Sequence, residues 1–274
     1  MEQGKKKTIA VLGCGWLGLP LAEKLLALGH TIKGSTTSED KLETLDVKGI
    51  QAYLVQCEED NCLGLEKFVE NVDVLILTLP PGLRQNSERR YDLVIKNLAE
   101  NILHSNIKHL IFISSTSVYG KLTGAIDENS MPRPFSESGK QLLKCEELLL
   151  SATQYHTTVL RFGGLIGPNR HPVFSLAKRD AIVNPEGEIN LIHLEDCINC
   201  LLAVIEKQKE NSVFNAVTPF HPDRKSYYNT MAEKAGISLP PFIVTSDHNR
   251  RILSNKIQTQ LGVKFNVENL LTLN

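Results

Sequence analysis

A chain of 274 residues with 42% hydrophobic content can bury a large core, and 30 Lys plus Arg against 31 Asp plus Glu leave a formal charge of -1. That balance argues against nucleic acid or an anionic membrane surface as partner. No apolar run approaches the roughly 18 to 20 residues that cross a bilayer and the amino-terminal apolar run is unlike a signal peptide, so a soluble cytoplasmic protein is expected.

The basic tract Lys5 to Lys7 abuts the first strand and reads as a solvated leader. Thr8 to Leu12 is a short apolar strand that runs directly into Gly13, Gly15 and Gly18, spaced G-x-G-x-x-G. The spacing makes sense if the strand ends at Leu12 and a helix begins near Leu17. Gly13 then permits the tight turn, Gly15 lets a pyrophosphate approach the backbone, and Gly18 lets the helix lie close to the sheet. Phosphates would sit on the unpaired N–H groups of that helix, so Gly13, Cys14, Gly15, Trp16, Leu17 and Gly18 form the expected cofactor turn with no basic side chain required. Leu17, Leu21, Leu25 and Leu28 recur at helical spacing, and Pro20 falls in the first turn, where its missing N–H costs little. A strand-turn-helix whose glycines serve packing alone is the competing reading.

His30 to Gly34 is a second short strand whose end should lie beside the adenosine ribose. In NAD sites a carboxylate roughly 20 residues past the glycines holds the ribose 2′-OH, whereas a 2′-phosphate needs donors or a cation. Here the chain offers Ser35, Thr36, Thr37 and Ser38 and then Glu39, Asp40 and Lys41. Thr36, Thr37, Ser38 and Lys41 therefore favour NADP over NAD, the alternative for Ser38 being a helix cap. Gln51 to Gln56 reads as a third strand. Val72 to Leu79 is a nearly continuous apolar run of the kind covered on both faces of a parallel sheet, and it stops at Pro80-Pro81-Gly82. The chain must leave the ladder there, at the carboxyl edge where open α/β sheets bind ligands, which brings Thr78, Leu79 and Pro80 to the cofactor. Tyr91 to Leu103 is an amphipathic helix, and Lys108 to Ile113 a further strand.

That strand continues as IFISSTSVYG, and with LRFGGLIGPNR at Leu160 to Arg170, INLIHLEDC at Ile189 to Cys197 and VFNAV at Val213 to Val217 it resembles the extended short-chain dehydrogenase/reductases, the NAD-dependent epimerase/dehydratase branch. The resemblance implies an α/β fold, a Rossmann doubly wound parallel sheet with a smaller C-terminal substrate lobe. Residues 1–166 would form the NAD(P)-binding domain and 167–274 the lobe, part of which returns to the sheet. It also implies an oxidoreductase acting on a small polar or sugar-like compound, as a monomer or homodimer.

In that family a serine after the fifth strand orients the substrate oxygen, a tyrosine transfers the proton, and a lysine four residues beyond lowers the tyrosine's pKa. The serine matches Ser115. The matching helix, PFSESGKQLLKCEELLL from Pro134, places Ser138 at the tyrosine position and Leu142 at the lysine position when Gly139 and Glu146 are aligned; a second register pairs Ser136 with Lys140. Neither supplies a tyrosine, and a serine hydroxyl is a far weaker acid than a phenol. The expected catalytic set is therefore atypical: Ser115, with Tyr119 or Ser138 as a poor acid or water holder. A catalytically silent NADP-binding sensor is the alternative. Thr116, Arg161, Gly164 and His193 are candidate substrate contacts. Arg161 is read as following the sixth strand, Thr157 to Leu160, with bracing of the Gly163-Gly164 loop as its competing role; Tyr119 and His193 have packing as theirs, the latter beside a capping Asp196.

From Gly167 the strand-helix alternation is lost, with Pro168, Pro172 and Pro185. Asn169, Arg170, His171 and the stretch 178–180 are candidate polar contacts of the lobe. Cys197 and Cys200 have metal-like spacing but share an apolar helical face, and Cys57 and Cys62 would join them only by chance, so no metal is expected.

Overall fold

The computed structural model describes residues 6–83, 85–207, 211–245 and 249–273; Lys5 of the basic tract lies outside them. The apolar runs become the parallel strands β1 (Thr8–Leu12), β2 (Thr31–Thr36), β3 (Gln51–Leu54), β4 (Val74–Leu77), β5 (His109–Ser115), β6 (His156–Phe162) and β7 (Ser212–Ala216). They pair in the order β7-β6-β5-β4-β1-β2-β3 as one seven-stranded sheet, every neighbouring pair parallel. The order reverses between β1 and β4, and a doubly wound sheet opens a crevice at that point on its carboxyl edge.

The helices are α1 (Gly18–Ala27), α2 (Leu42–Val47), α3 (Leu65–Val69), α4 (Tyr91–Asn101), α5 (Glu137–Leu150), α6 (Val173–Leu176), α7 (Leu194–Lys207), α8 (Arg224–Ala235) and α9 (Asn255–Leu261). Alternate strand residues feed opposite layers, as a pleated sheet requires. Ile9 and Val11 join a core with α1, α2, α7 and α9, while Ala10 and Leu12 join another with α3, α4 and α5. None of the helices among the described residues is long and apolar enough to cross a membrane.

A third cluster of buried apolar residues brings together Ile166, Leu191, Tyr227 and Met231. Short parallel ladders pair 164–166 with 191–193 and 182–183 with 242–243. After His193 the chain packs α7 on the main sheet and adds β7 to it, places α8 on the third cluster, and returns to the sheet as α9. Helix α8 begins at Arg224 because Asp223 caps it, accepting the Ser226 N–H at 2.8 Å.

Several strand boundaries differ from the sequence reading, among them three near the site. The third strand stops at Leu54, and Gln56–Cys57 instead pairs antiparallel with Cys62–Leu63. The run 72–79 is a strand only over Val74–Leu77, although Thr78 N–H still donates to Leu12 O. The sixth strand reaches Phe162, so Arg161 lies inside it, paired in register with Ser114 and Asn215.

Candidate functional site

At the carboxyl end of β1, Gly13 adopts φ +105°, and a Cβ added to Gly18 would stand 2.1 Å from the Gly13 carbonyl oxygen. The helix can start that close to the strand only without a side chain. Gly15 is exposed and a Cβ there would meet nothing within 4 Å, so the outer side of the turn is open. Two hydroxyls brace the turn from within. Ser35 Oγ accepts the Gly13 N–H at 2.8 Å, and the Thr78 hydroxyl lies 2.6 Å from Gly13 O and 2.9 Å from Leu12 O. Helix α1 has no side-chain cap and no acidic residue in its first turn, which leaves its positive end uncompensated. An open glycine in front of an uncapped helix suits a pyrophosphate. Ser35 had no motif to announce it; its role shows only in the register of β1 with β2.

Leu17 is buried, whereas Cys14 and Trp16 are half-buried. The Trp16 indole N–H donates to the Pro168 carbonyl at 2.9 Å, and the Arg170 guanidinium lies over its ring at 4.9 Å. The glycine turn is thereby joined to the loop that follows β6.

At the end of β2, Thr36 Oγ1 accepts the Ser38 N–H at 3.1 Å, and Thr37 and Lys41 are exposed. Ser38 precedes a short 3-10 turn, Glu39–Lys41, but its hydroxyl makes no capping bond, which removes the capping alternative. No carboxylate stands on the last residues of β2. Leu79 O accepts the Tyr91 hydroxyl at 2.9 Å, and Pro80 is exposed beyond it.

On β5, Ser114 and Ser115 point to opposite faces. Ser115 Oγ, half-buried, accepts the Ser117 N–H at 3.1 Å and caps the 3-10 turn Thr116–Tyr119; Thr116 is buried. The first turn of α5 packs on this turn, since a Cβ on Gly139 would lie 2.9 Å from Ser117 O. Ser138 is half-buried there, while Leu142, one turn on, is 3% exposed and belongs to the core with Cys145 and Leu149. Ser136 is the N-cap of α5, accepting the Gly139 N–H at 3.1 Å, and exposed Lys140 stands 3.9 Å from Glu137. The register pairing Ser136 with Lys140 thus has its serine committed to the cap and its lysine turned to the surface.

Two sequence expectations are corrected here. Tyr119 is fully buried, donating to Asn215 Oδ1 at 2.9 Å and accepting from Arg161 Nη1 at 2.9 Å. Burial pushes its phenol up despite the guanidinium, so it is a core hydroxyl rather than an acid at the edge. Arg161, 5% exposed, forks onto Glu146, itself 1% exposed, with Nη2 to Oε2 at 2.6 Å. Burial acts to lower the arginine, but the Glu146 carboxylate outweighs it and holds the guanidinium charged. Ser114 Oγ donates to the same carboxylate. Ser114, Tyr119, Glu146, Arg161 and Asn215 form one buried network, which explains a charge in mid-strand.

Asp196 is a third correction. It does not cap α7; its buried carboxylate accepts Asn266 N–H at 2.6 Å and Val267 N–H at 3.2 Å, and burial raises its pKa. His193 is half-buried at the end of its strand, its Nδ1 accepting the Glu195 N–H at 3.4 Å. A Cβ on Gly167 would stand 3.5 Å from its Nε2, which puts the ring beside the Trp16 loop. Gly164 is exposed and donates to Asn190 O. His171 bonds Tyr227 of the third cluster at 2.8 Å, whereas Asn169, Arg170 and residues 178–180 are exposed. Beyond the end of β7 lies a cleft of about 370 Å³ lined by Phe220, His221, Arg251 and Asn255, with no motif in the sequence to mark it. Cys197 and Cys200 are fully buried, and no cluster of metal-ligating side chains occurs among the described residues.

Residues 13–198 match the NAD(P)H-binding family. Protein YeeZ of Escherichia coli strain K12 is 33% identical over 265 residues, covering 94% of this chain and 96% of that protein. The UDP-glucuronic acid 4-epimerase of Bacillus cereus, solved with UDP-glucuronic acid and NAD, superposes with a TM-score of 0.78 at 21% identity, over 96% of this chain and 95% of the other. The UDP-Glc/GlcNAc 4-epimerase of Campylobacter jejuni gives 0.79 at 17% identity, over 97% and 96%.

Proposed function

The chain belongs to the NAD(P)H-binding family and has an epimerase/dehydratase-like fold, and from that premise we propose that it is an NAD(P)-dependent oxidoreductase acting on a small polar or sugar-like compound. The observation that carries this reading is the open, uncapped glycine turn, placed on the same sheet edge as the half-buried hydroxyls of Ser115 and Ser138. When bound, the dinucleotide supplies or accepts a hydride. The turn Gly13 to Gly18 holds its pyrophosphate through the backbone N–H groups at the start of α1, those of Gly13 and Cys14 being engaged by Ser35. Thr36, Thr37, Ser38 and Lys41 surround the adenosine ribose, and their hydroxyls and single cation favour a 2′-phosphate, hence NADP over NAD. Ser115 Oγ orients the substrate oxygen, and with Tyr119 withdrawn into the core, Ser138 Oγ holds the water that exchanges the proton. Thr116, Gly164 and His193 flank the substrate, and Arg161 acts on it only through the position of Tyr119.

Titration with NADPH and NADH, followed by fluorescence and by thermal shift, tests the binding half: neither a signal nor stabilisation ends this reading. The chemical half is tested with sugar nucleotides such as UDP-glucose and UDP-glucuronic acid. Turnover should vanish in Ser115→Ala and persist in Lys96→Ala on the exposed face of α4.

A second reading, a silent dinucleotide sensor, is favoured by one observation. Leu142 fills the lysine position with a buried apolar side chain, so no cation there can lower the pKa of an acid at residue 138. Dinucleotide binding without turnover of any hydroxyl or carbonyl compound supports it, and Ser115-dependent turnover removes it.

A further inference from the structure

We propose that Cys57 and Cys62 form a reversible disulfide site, oxidised by exchange with a low-molecular-weight disulfide of the glutathione type, in the hairpin that flanks the adenosine end of the dinucleotide site. The two residues are direct cross-strand partners of the antiparallel ladder Gln56–Cys57 with Cys62–Leu63. Glu58 N–H donates to Asn61 O at 2.8 Å, which makes that rung hydrogen-bonded and the Cys57–Cys62 rung the closer, non-hydrogen-bonded kind. Such a rung sets the Cα atoms about 4.5 Å apart, within the span a disulfide bridges. The other four cysteines are free thiols without such a partner: Cys14 stands alone, Cys145 is buried, and Cys197 and Cys200 are sealed in one helix.

The pair is chemically asymmetric. The Cys57 thiol, 8% exposed, donates to the Cys62 sulfur, and Asn97 Nδ2 donates to the same sulfur at 3.8 Å. This favours the Cys62 thiolate and pushes Cys57 up, against the opposing effects of burial and Glu58 on Cys62. Cys62, half-buried, is therefore the attacking group. Its thiolate displaces one thiolate from the external disulfide and becomes a mixed disulfide. Cys57 then loses its proton to solvent and attacks the Cys62 sulfur, expelling the second thiolate. The protein gives up two protons and two electrons, and the external disulfide becomes two thiols.

The position gives the bond a consequence, which rests on the dinucleotide reading above. Val55 N–H donates to Thr36 O at 3.0 Å and Gln56 Nε2 to Thr37 O at 3.4 Å, so the hairpin is the wall of the ribose position. Cross-linking its two strands removes freedom that binding would otherwise have to remove, so the oxidised form holds the dinucleotide more tightly.

The test equilibrates the full chain in glutathione redox buffers, traps thiols by alkylation and maps peptides. The expected result is a Cys57–Cys62 link reversed by dithiothreitol, a stable glutathione adduct on Cys62 in Cys57→Ser, and little modification of Cys57 in Cys62→Ser. NADPH should bind the oxidised protein about threefold or more tightly than the reduced protein, with the double serine variant indifferent to oxidant. Absence of the link, or adducts on Cys14 as readily as on Cys62, overturns the site. A link with unchanged affinity overturns its coupling to the dinucleotide. If NADPH binds neither redox form while the link still maps, it is the functional reading that fails.

Discussion

At the β1–α1 turn, backbone is held by backbone and by two hydroxyls, buried Ser35 and half-buried Thr78, and the outer side stays open. At the α5 edge the reverse holds: what lies beneath Ser115 and Ser138 is an ionic network of named side chains, Ser114, Tyr119, Glu146 and Arg161, and a core leucine at position 142. A site made of main-chain N–H groups survives any substitution that spares its glycines. A site made of side chains is rewritten by a single replacement. The same sheet edge thus carries a turn built from backbone and, beside it, an edge built from side chains.

The largest expected effect lies at the α5 edge. Glu146→Gln leaves the Arg161 guanidinium buried without its counter-charge and should cost about 3–5 kcal/mol of stability in urea unfolding, with NADPH affinity of the folded protein unchanged. A loss of affinity in parallel with stability would break the separation drawn between the two regions. At the turn the effects reverse. Gly15→Val has room in the free protein, so stability should hold, whereas its side chain occupies the phosphate position and should weaken NADPH about 100-fold, some 2.7 kcal/mol. Gly18→Val instead collides with the Gly13 carbonyl and should lose both.

Acid separates the regions further. His109 is 4% exposed at the opposite end of β5, bonded through Nε2 to Thr158 at 2.8 Å, and burial lowers its pKa to about 4. The unfolded chain binds this proton near the ordinary value of 6.5 and the folded chain only near 4, so between these values the unfolded state carries the extra proton. Stability contributed by neutral His109 is complete above pH 6.5 and is lost as pH falls toward 4, on the order of 3 kcal/mol. His109→Gln should flatten that slope in a pH series of urea midpoints. NADH affinity of the folded fraction should stay level through the window, because no group on the turn titrates there. The smallest effect is at the ribose: Thr37→Arg should strengthen NADPH over NADH by about fivefold, near 1 kcal/mol, in a fluorescence titration. Equal effects on both would show the ribose to lie elsewhere.

What was legible in the sequence was local. The strand, glycine turn and helix at residues 8–28 announce themselves because every contact that defines them is within a few residues of the motif. The inward face Leu142, Cys145 and Leu149 is likewise a matter of helical period. Arg161 was misplaced because a charge after an apolar run reads as the end of a strand; only Glu146, on a helix fifteen residues earlier, makes it a core residue. Asp196 looked like a cap for the same reason, its partners lying seventy residues on. Tyr119 had its packing role in view, but its partners Arg161 and Asn215 come from two other strands. Cys57 and Cys62 acquire meaning only from a register that turns the chain back on itself.

Trp16, whose indole hooks the Pro168 carbonyl beneath the Arg170 guanidinium, is the single tryptophan of the chain. The molecule therefore carries one natural fluorophore, and it sits where the glycine turn meets the loop that holds Pro168. Any opening that admits a dinucleotide to the turn must either keep that indole bond or release the ring to water, and either event is written in the emission of one residue without a label.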